Sequence, residues 1–483
     1  MIFIKKIIEA ANKNPAQVAF IFQDKCMTYG QFLSFFALVT KRLVDAGIKE
    51  GDCVGVSMDQ SPLHLATILG ISRLGAVSVP IVLPSPGDQF KTIVEKFNIT
   101  KIVCAEHIKN IPILDTIYLT GLTFNEDEYN FNFLQYEPKD DLPARIYLTS
   151  GSTGIPSGIV YTQAYWYERV IQTVDDINQS SRVIPPDLHL TLGSIFAFGA
   201  MLAGATVIFP KDNSYQNFIL ALNLHAASHI ILPPFAISGL FNFIPKKGIA
   251  FPMVKHMRIV GSTPPPQMIE RVIGRISQNV YVPYGMTEIG AISIADRKAL
   301  QLNEKTSGQI KEDTLVEVMD EKNQILSKGK VGEIRVKKKN MPTSYFNEPE
   351  KTKQKFKEGY FYTGDLGYID NNGHLIIEGR IDDMINLDGE KIHPLPLEQA
   401  LLNAPNIQDV GLFSIKNKNQ ETVLAAAFVA KNESVLEAFK SNPAIERLVN
   451  NRFILLDQLP RNESGKLVRK LLAEQYLHIT SLN

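Results

Sequence analysis

Five short strings in this chain gather the hydroxyl, glycine, carboxylate and cationic groups that could handle a nucleotide. The first is Tyr147-Leu-Thr-Ser-Gly-Ser-Thr-Gly-Ile-Pro-Ser-Gly158. It follows the apolar run Ala144–Leu148, which reads as a buried strand. Its glycines let the backbone bend so that successive N–H groups point at one anion, and its Ser and Thr add neutral donors. No Gly-Lys-Ser/Thr closes it, so it is not a Walker A loop. The second string is Tyr284-Gly-Met-Thr-Glu288. It offers a flat ring for a base, a hydroxyl for a phosphate and a hard oxygen ligand for Mg²⁺. The same string could simply end a strand and cap a helix. In Tyr362-Thr-Gly-Asp-Leu366, Asp365 could accept both hydroxyls of a ribose or bond its own backbone in a glycine turn. Gly379-Arg-Ile-Asp-Asp383 supplies a guanidinium suited to phosphate or ribose, or else to a surface ion pair of little worth. Last comes Pro460-Arg-Asn-Glu-Ser-Gly-Lys466-Leu, where a lysine beside a glycine can carry a point charge to a phosphate or stay solvated.

The elements that must hold these strings are legible as patterns. Apolar runs at Cys53–Met58, Ala76–Val82, Lys101–Ala105, Ala205–Phe209, His229–Leu232, Met257–Gly261 and Val280–Val282 alternate with helix-like stretches such as Ser61–Leu74. That alternation predicts an α/β fold: a largely parallel sheet with helices on both faces, binding ligands at the carboxyl ends of its strands. After residue 300 lysine and asparagine rise and the runs shorten to Val331–Val336 and His374–Glu378. Beyond Arg380 a smaller α+β pattern follows. It has a helix near Pro396–Leu402, a hairpin pair at Gly411–Ile415 and Val423–Val429, a strand Phe453–Leu456 and a closing helix Leu467–Tyr476. The division expected is a large domain over 1–379 and a small domain over 380–483. No internal repeat or low-complexity tract stands out.

Composition narrows the function classes. The chain has 483 residues, 45% hydrophobic, enough for a large core. Lys plus Arg and Asp plus Glu are 50 each, so no basic excess invites nucleic acid. The 3 cysteines, Cys26, Cys53 and Cys104, are too few and too scattered for a disulfide framework or a metal knuckle, which favours a reducing cytoplasm. The N-terminus lacks the order of a signal peptide. His189–Phe209 carries no charge and is long enough to cross a bilayer. Its three glycines, β-branched end and lack of a polybasic flank read instead as a buried helix feeding a buried strand.

Taken in order, the strings resemble the adenylate-forming superfamily of acyl-CoA synthetases, peptide-synthetase adenylation domains and luciferases. Met27-Thr-Tyr29, Gly261-Ser-Thr, Tyr345-Phe-Asn347 and Thr352 fit between them, so the resemblance spans essentially the whole chain. Its motif style is that of AMP-forming acid–CoA ligases. The resemblance implies that ATP and Mg²⁺ activate a carboxylic acid to an acyl-adenylate, with loss of pyrophosphate. The acyl group then passes to CoA or, alternatively, to the phosphopantetheine of an acyl or peptidyl carrier protein. A degenerate nucleotide-binding paralogue is a third reading. The resemblance further implies that Thr149, Ser150, Gly151, Ser152, Thr153 and Gly154 hold the β- and γ-phosphates, and that Tyr284 stacks on adenine beside Gly261 and Ser262. Thr287 would contact the α-phosphate and Glu288 the magnesium. Asp365, with Arg380, would bind the ribose. Lys466 would reach both the α-phosphate and the acid. Asp382 is the implied hinge of a mobile C-terminal domain, and Gly389 lines the implied thiol tunnel.

His189 matches the gate of acyl- and aryl-CoA ligases. With Leu190 beside it, where amino-acid-activating relatives usually carry Asp, an apolar or aromatic acid is favoured over an α-amino acid. Phe196, Phe198, Pro233 and Phe235 either shape that pocket or are plain core. One departure stands out: most members have lysine where this chain has Ser157. On that reading a charge that assists the leaving pyrophosphate is lost, and Ser157→Lys is expected to keep the fold and raise kcat/KM.

Overall fold

The computed structural model describes residues 2–83, 87–105, 115–120, 137–149, 156–387, 390–417, 421–461 and 467–481. Two large sheets dominate. The first has six strands, in spatial order Asp115–Tyr118, Ile99–Cys104, Cys53–Ser57, Val77–Pro80, Pro143–Thr149 and Ser157–Thr162. Its neighbours run parallel until the last pair, where the chain doubles back and Thr149 faces Ser157 across an antiparallel ladder. The Ser/Thr/Gly loop, 150–155, is the connection at that reversal and lies outside the described residues.

The second sheet has fourteen strands. From Val18–Phe22 through Thr206–Phe209, Arg182–Ile184, His229–Leu232 and His256–Ile259 to Val280–Met286 it is parallel. From there on, through Gly290–Ala295, Thr306–Ile310, His374–Arg380, Tyr360–Ile369, Gly332–Lys338 and Thr314–Met319, every ladder is antiparallel. The chain before Tyr281 is therefore mostly parallel, apart from the ladders of Pro143–Thr149 with Ser157–Thr162 and of Val18–Phe22 with Lys25–Thr28, and after Tyr281 the second sheet is antiparallel. Two expectations change. Tyr284–Glu288 does not cap a helix but turns a hairpin, and Tyr362–Leu366 lies inside the strand Tyr360–Ile369 rather than in a turn. Gly364 at φ +74° and a bulge at Leu366/Gly367 let that strand bend without leaving the ladder.

The helices are set by local chemistry. Ser61 accepts from the His64 N–H and Pro62 opens the helix Pro62–Arg73. Thr28 and Gln31 form a capping box on Tyr29–Asp45. The charge-free stretch resolves into a buried helix Thr191–Leu202 and a buried strand Thr206–Phe209. Among the described residues no helix is long and apolar enough to cross a membrane. Phe196 and Phe198 are core, whereas Phe235 is 48% exposed.

Residues after 384 build their own apolar clusters. One joins Ile385, Leu401, Leu412, Phe428 and Val449, and the other joins Phe413, Ala425, Ile454 and Leu472. They pack helices Pro394–Leu402 and Arg469–Ser481 on the strands Asp409–Lys416, Thr422–Val429 and Phe453–Leu455.

Two glycines separate close approach from mere permissiveness. A Cβ on Gly193 would overlap the Asp187 carbonyl, which is backbone and cannot swing away, whereas a Cβ on Gly274, in helix Pro266–Arg275, would meet open space. Gly193→Ala should lower the urea midpoint by the equivalent of about 1–3 kcal/mol. Gly274→Ala should leave stability unchanged or raise it by about 0.5–1 kcal/mol. Equal effects from both would contradict the packing described.

Candidate active site

Tyr284 leaves the parallel part of the second sheet at a strand end. The ladder pairs Met257 with Val280 and Arg258 with Tyr281, and the same offset carried on along both chains sets Gly261 level with Tyr284 and Ser262 with Gly285. The Tyr284 hydroxyl donates to Asp365 Oδ2 at 2.6 Å. Arg380 Nη1 donates to Asp365 Oδ1 at 2.8 Å from the facing position of the Tyr360–Ile369/His374–Arg380 ladder. Asp365 is only 5% exposed, so each of its oxygens needs a donor, and each keeps lone pairs for another. Burial works against the Arg380 charge, yet Asp365, Asp382 and Asp383 hold its pKa above the ordinary arginine value. Arg380 Nη2 also reaches Asp382 Oδ2 at 3.5 Å, and the Asp382 side chain is 67% exposed.

The hairpin turn after Tyr284 carries Thr287 and Glu288. Three tyrosines fix it. Tyr161 donates to the Thr287 carbonyl at 2.6 Å, Tyr165 to the Glu288 carbonyl at 3.5 Å, and Tyr345 to Glu288 Oε1 at 2.7 Å. Tyr161 is itself gripped by the buried Arg169 at 3.3 Å. Gly290, at φ +77°, leaves the space that Arg169 fills; a Cβ there would strike the guanidinium. Glu288 is 8% exposed, a hard oxygen group held in the hairpin turn by Tyr345. One such carboxylate together with substrate phosphates is the donor set Mg²⁺ accepts.

On the other side, Thr287 Oγ1 lies 3.4 Å from Thr191 Oγ1, at the start of the helix Thr191–Leu202. His189, two residues earlier, shares its Nδ1 with Asp187 Oδ1 at 2.9 Å, and its backbone N–H donates to the same oxygen at 2.8 Å. Burial would raise the Asp187 pKa, but these bonds and the His189 charge hold it below the usual carboxylate range. The His64 ring stands 5.0 Å from that of His189; burial first, then His189 and Arg145, keeps His64 neutral, well below the ordinary histidine value.

The hairpin turn thus meets Thr191 through Thr287 and Tyr345 through Glu288, with His189 two residues before Thr191, while Tyr284, Asp365 and Arg380 form a cluster joined by hydrogen bonds. Thr149 lies across the first sheet's last ladder from Ser157. Ser150, Gly151, Ser152, Thr153, Gly154, Gly389 and Lys466 lie outside the described residues. Sequence reading missed Asp187, Tyr161, Tyr165 and Thr191, and it used Tyr345 only as a spacing mark. An acidic residue two before His189 was the one local signal available.

A second acidic–imidazole group, Asp176, His229 and His256, lies within ligand spacing of one another. Arg258 pairs with Asp176 at 2.7 Å, and both ring nitrogens of His229 are already hydrogen-bonded, so it closes as an ion cluster.

The AMP-binding enzyme family model matches residues 7–346. A long-chain-fatty-acid–CoA ligase of Mycobacterium tuberculosis is 26% identical over 476 residues, covering 94% of each chain. A 4-coumarate–CoA ligase of Nicotiana tabacum is 27% identical, covering 88% of this chain and 84% of that one. Among solved structures, the o-succinylbenzoate CoA synthetase of Bacillus subtilis superposes with a TM-score of 0.83 in its acyl-adenylate complex, at 23% identity and 97% of both chains. Its complex with ATP and magnesium superposes equally well, at 22% identity. These superpositions establish the fold. The chain belongs to the AMP-binding enzyme family.

Removing Arg380 would leave Asp365 buried beside Tyr284 alone. Arg380→Ala should cost about 2–3 kcal/mol of stability, less than for a fully buried pair because the Arg380 side chain is 33% exposed. Asp365→Asn in the Arg380→Ala background should recover much of that loss. Urea unfolding of the two variants checks it, and a double variant less stable than Arg380→Ala would contradict it.

Proposed function

Starting from membership of the AMP-binding enzymes, we propose that this protein activates a carboxylic acid with ATP to an acyl-adenylate and then transfers the acyl group to CoA. The observation that carries this reading is the site's arrangement around one strand end: a tyrosine ring, a two-donor carboxylate, a threonine on a pinned hairpin turn and a hard carboxylate. Magnesium, when bound, neutralises phosphate charge beside Glu288. Asp365 takes the ribose hydroxyls, and Arg380 keeps that carboxylate charged and oriented. Tyr284 offers its face to adenine, with Gly261 and Ser262 beside it. Thr287, its carbonyl anchored by Tyr161, directs its hydroxyl to the α-phosphate. Thr149 and the loop residues Ser150 to Gly154 hold the β- and γ-phosphates.

The hard part is electrostatic. A carboxylate must approach an anionic phosphorus, so the charges must be offset and the atoms held in line. Lys466 fills that role on this reading. The segment 380–483 acts as a domain that turns about Asp382, withdrawing Lys466 and bringing Gly389 to the thiol passage. One chain then runs two half-reactions by domain motion.

His189 gates the acid side. Asp187 spends its Oδ1 on His189 and so offers little to a substrate ammonium, in keeping with an apolar or aromatic acid rather than an α-amino acid.

Pyrophosphate release across aryl, short, medium and long acids, with and without CoA, tests the reading. Release with acyl-CoA formation is expected. Acyl-AMP that accumulates and ignores CoA would assign a carrier protein as the acceptor, and no release with any acid would contradict the reading. Lys466→Ala should slow adenylate formation by about 100-fold or more yet leave thioester formation from supplied adenylate largely intact. Equal loss of both half-reactions would contradict the two-conformation mechanism.

A further inference from the structure

Ser157 opens the strand that returns from the Ser/Thr/Gly loop, opposite Thr149, and it is 2% exposed. It does not face an uncharged surround. Lys351 Nζ, from helix Pro349–Lys355, donates to Ser157 Oγ at 2.6 Å. The same ammonium stands 4.5 Å above the Tyr345 ring, whose hydroxyl holds Glu288. One cation therefore bridges the end of the loop and the carboxylate placed for magnesium. Lys96 comes in from the far side, donating to the Pro156 carbonyl at 2.8 Å and lying 3.3 Å from Glu348 Oε1. Lys355 is one turn along from Lys351, its Nζ packed over Gly364.

The charges do not balance. Glu348 touches both Ser157, at 3.1 Å, and Lys96. Glu288 is the other carboxylate that bears on Lys351, and the proposed function commits it to a metal. Burial lowers the Lys351 pKa below the ordinary lysine value, with Lys96 and Lys355 pressing the same way against Glu348 and Glu288. A half-buried, positioned ammonium with too little counter-charge is a receptor for a polyanion.

We infer that Lys351 is the cation that binds the β- and γ-phosphates of ATP and takes up the charge of the departing pyrophosphate. The inference rests on the proposed ligase reading. In the step it serves, a substrate carboxylate oxygen bonds to the α-phosphorus as the bond from that phosphorus to the α–β bridging oxygen breaks. The electron pair leaves on pyrophosphate, and no proton need move. A preorganised cation at the β/γ end stabilises that developing charge. Ser157 is then no lesion. Its short side chain admits an ammonium that arrives from 194 residues downstream. A lysine at position 157 would set two ammoniums against each other, so Ser157→Lys alone gives no gain, contrary to the expectation from sequence.

Titration calorimetry with ATP and with AMP, together with the two half-reactions, tests this on the full chain. Lys351→Ala should weaken ATP about 10–100-fold and slow pyrophosphate release by a similar factor. AMP binding and thioester formation from supplied adenylate should stay within about twofold. Lys351→Arg should retain most ATP affinity, and Ser157→Lys in the Lys351→Ala background should restore it, a coupling only neighbouring groups give. Equal weakening of ATP and AMP, or no weakening of ATP, would overturn the role of Lys351. So would a double variant no better than Lys351→Ala. If the wild type binds ATP but releases no pyrophosphate with any acid, the ligase reading falls, and the ATP-against-AMP comparison still decides whether Lys351 grips the phosphates.

Discussion

A carboxylate kept out of water must be given donors, and that constraint organises this structure. Glu288 and Asp365 are 8% and 5% exposed, and each receives a tyrosine hydroxyl, from Tyr345 and Tyr284 respectively. Each tyrosine is in turn set by a distant part of the chain. Tyr345 lies across a bridge from Ile159 in the first sheet, and Tyr284 sits on the last parallel strand of the second. Satisfying two carboxylates thus ties both sheets to one hairpin and the strand beside it. The cost of leaving either carboxylate unpaired, a few kcal/mol, is what keeps the tie specific.

The same tie explains why the site is at this edge. The parallel pairing ends at Arg258 and Tyr281, just before Tyr284, and the hairpin that follows turns the chain back on itself. Tyr161 and Arg169 then hold the hairpin's backbone from beneath, in a place that only a glycine at position 290 leaves open. A pinned backbone under Thr287 is what the proposed contact of its hydroxyl with a phosphate would require, because a small misplacement of such groups is costly in rate.

Much of this was readable from the sequence, and the reasons differ by part. The parallel strands announce themselves because both faces are buried, giving apolar runs such as Ile230–Leu232 in the strand His229–Leu232. So do some antiparallel strands, Gly332–Lys338, His374–Arg380 and the hairpin of Asp409–Lys416 with Thr422–Val429, but others do not. Thr314–Met319 alternates buried and exposed residues and carries a glutamate, and Tyr360–Ile369 hides behind its glycines. The nucleotide strings were legible because each is contiguous. What joins them was not: Tyr345 meets Glu288 across 57 residues, and Lys351 meets Ser157 across 194. A motif comparison sees a serine where a lysine is usual and reads a loss. Only the fold can return the charge by another route.

On the proposed function the acid attacks the α-phosphorus, and Glu288, Asp365, Arg380 and Lys351 serve that attack. The most direct test labels both carboxylate oxygens of an accepted acid with ¹⁸O and lets the reaction run to thioester. Formation of an acyl-adenylate leaves one labelled oxygen in the released AMP and none in pyrophosphate, and that is the predicted result. Label in inorganic phosphate or pyrophosphate, or thioester formed with unlabelled AMP, would place the attack elsewhere and contradict the account.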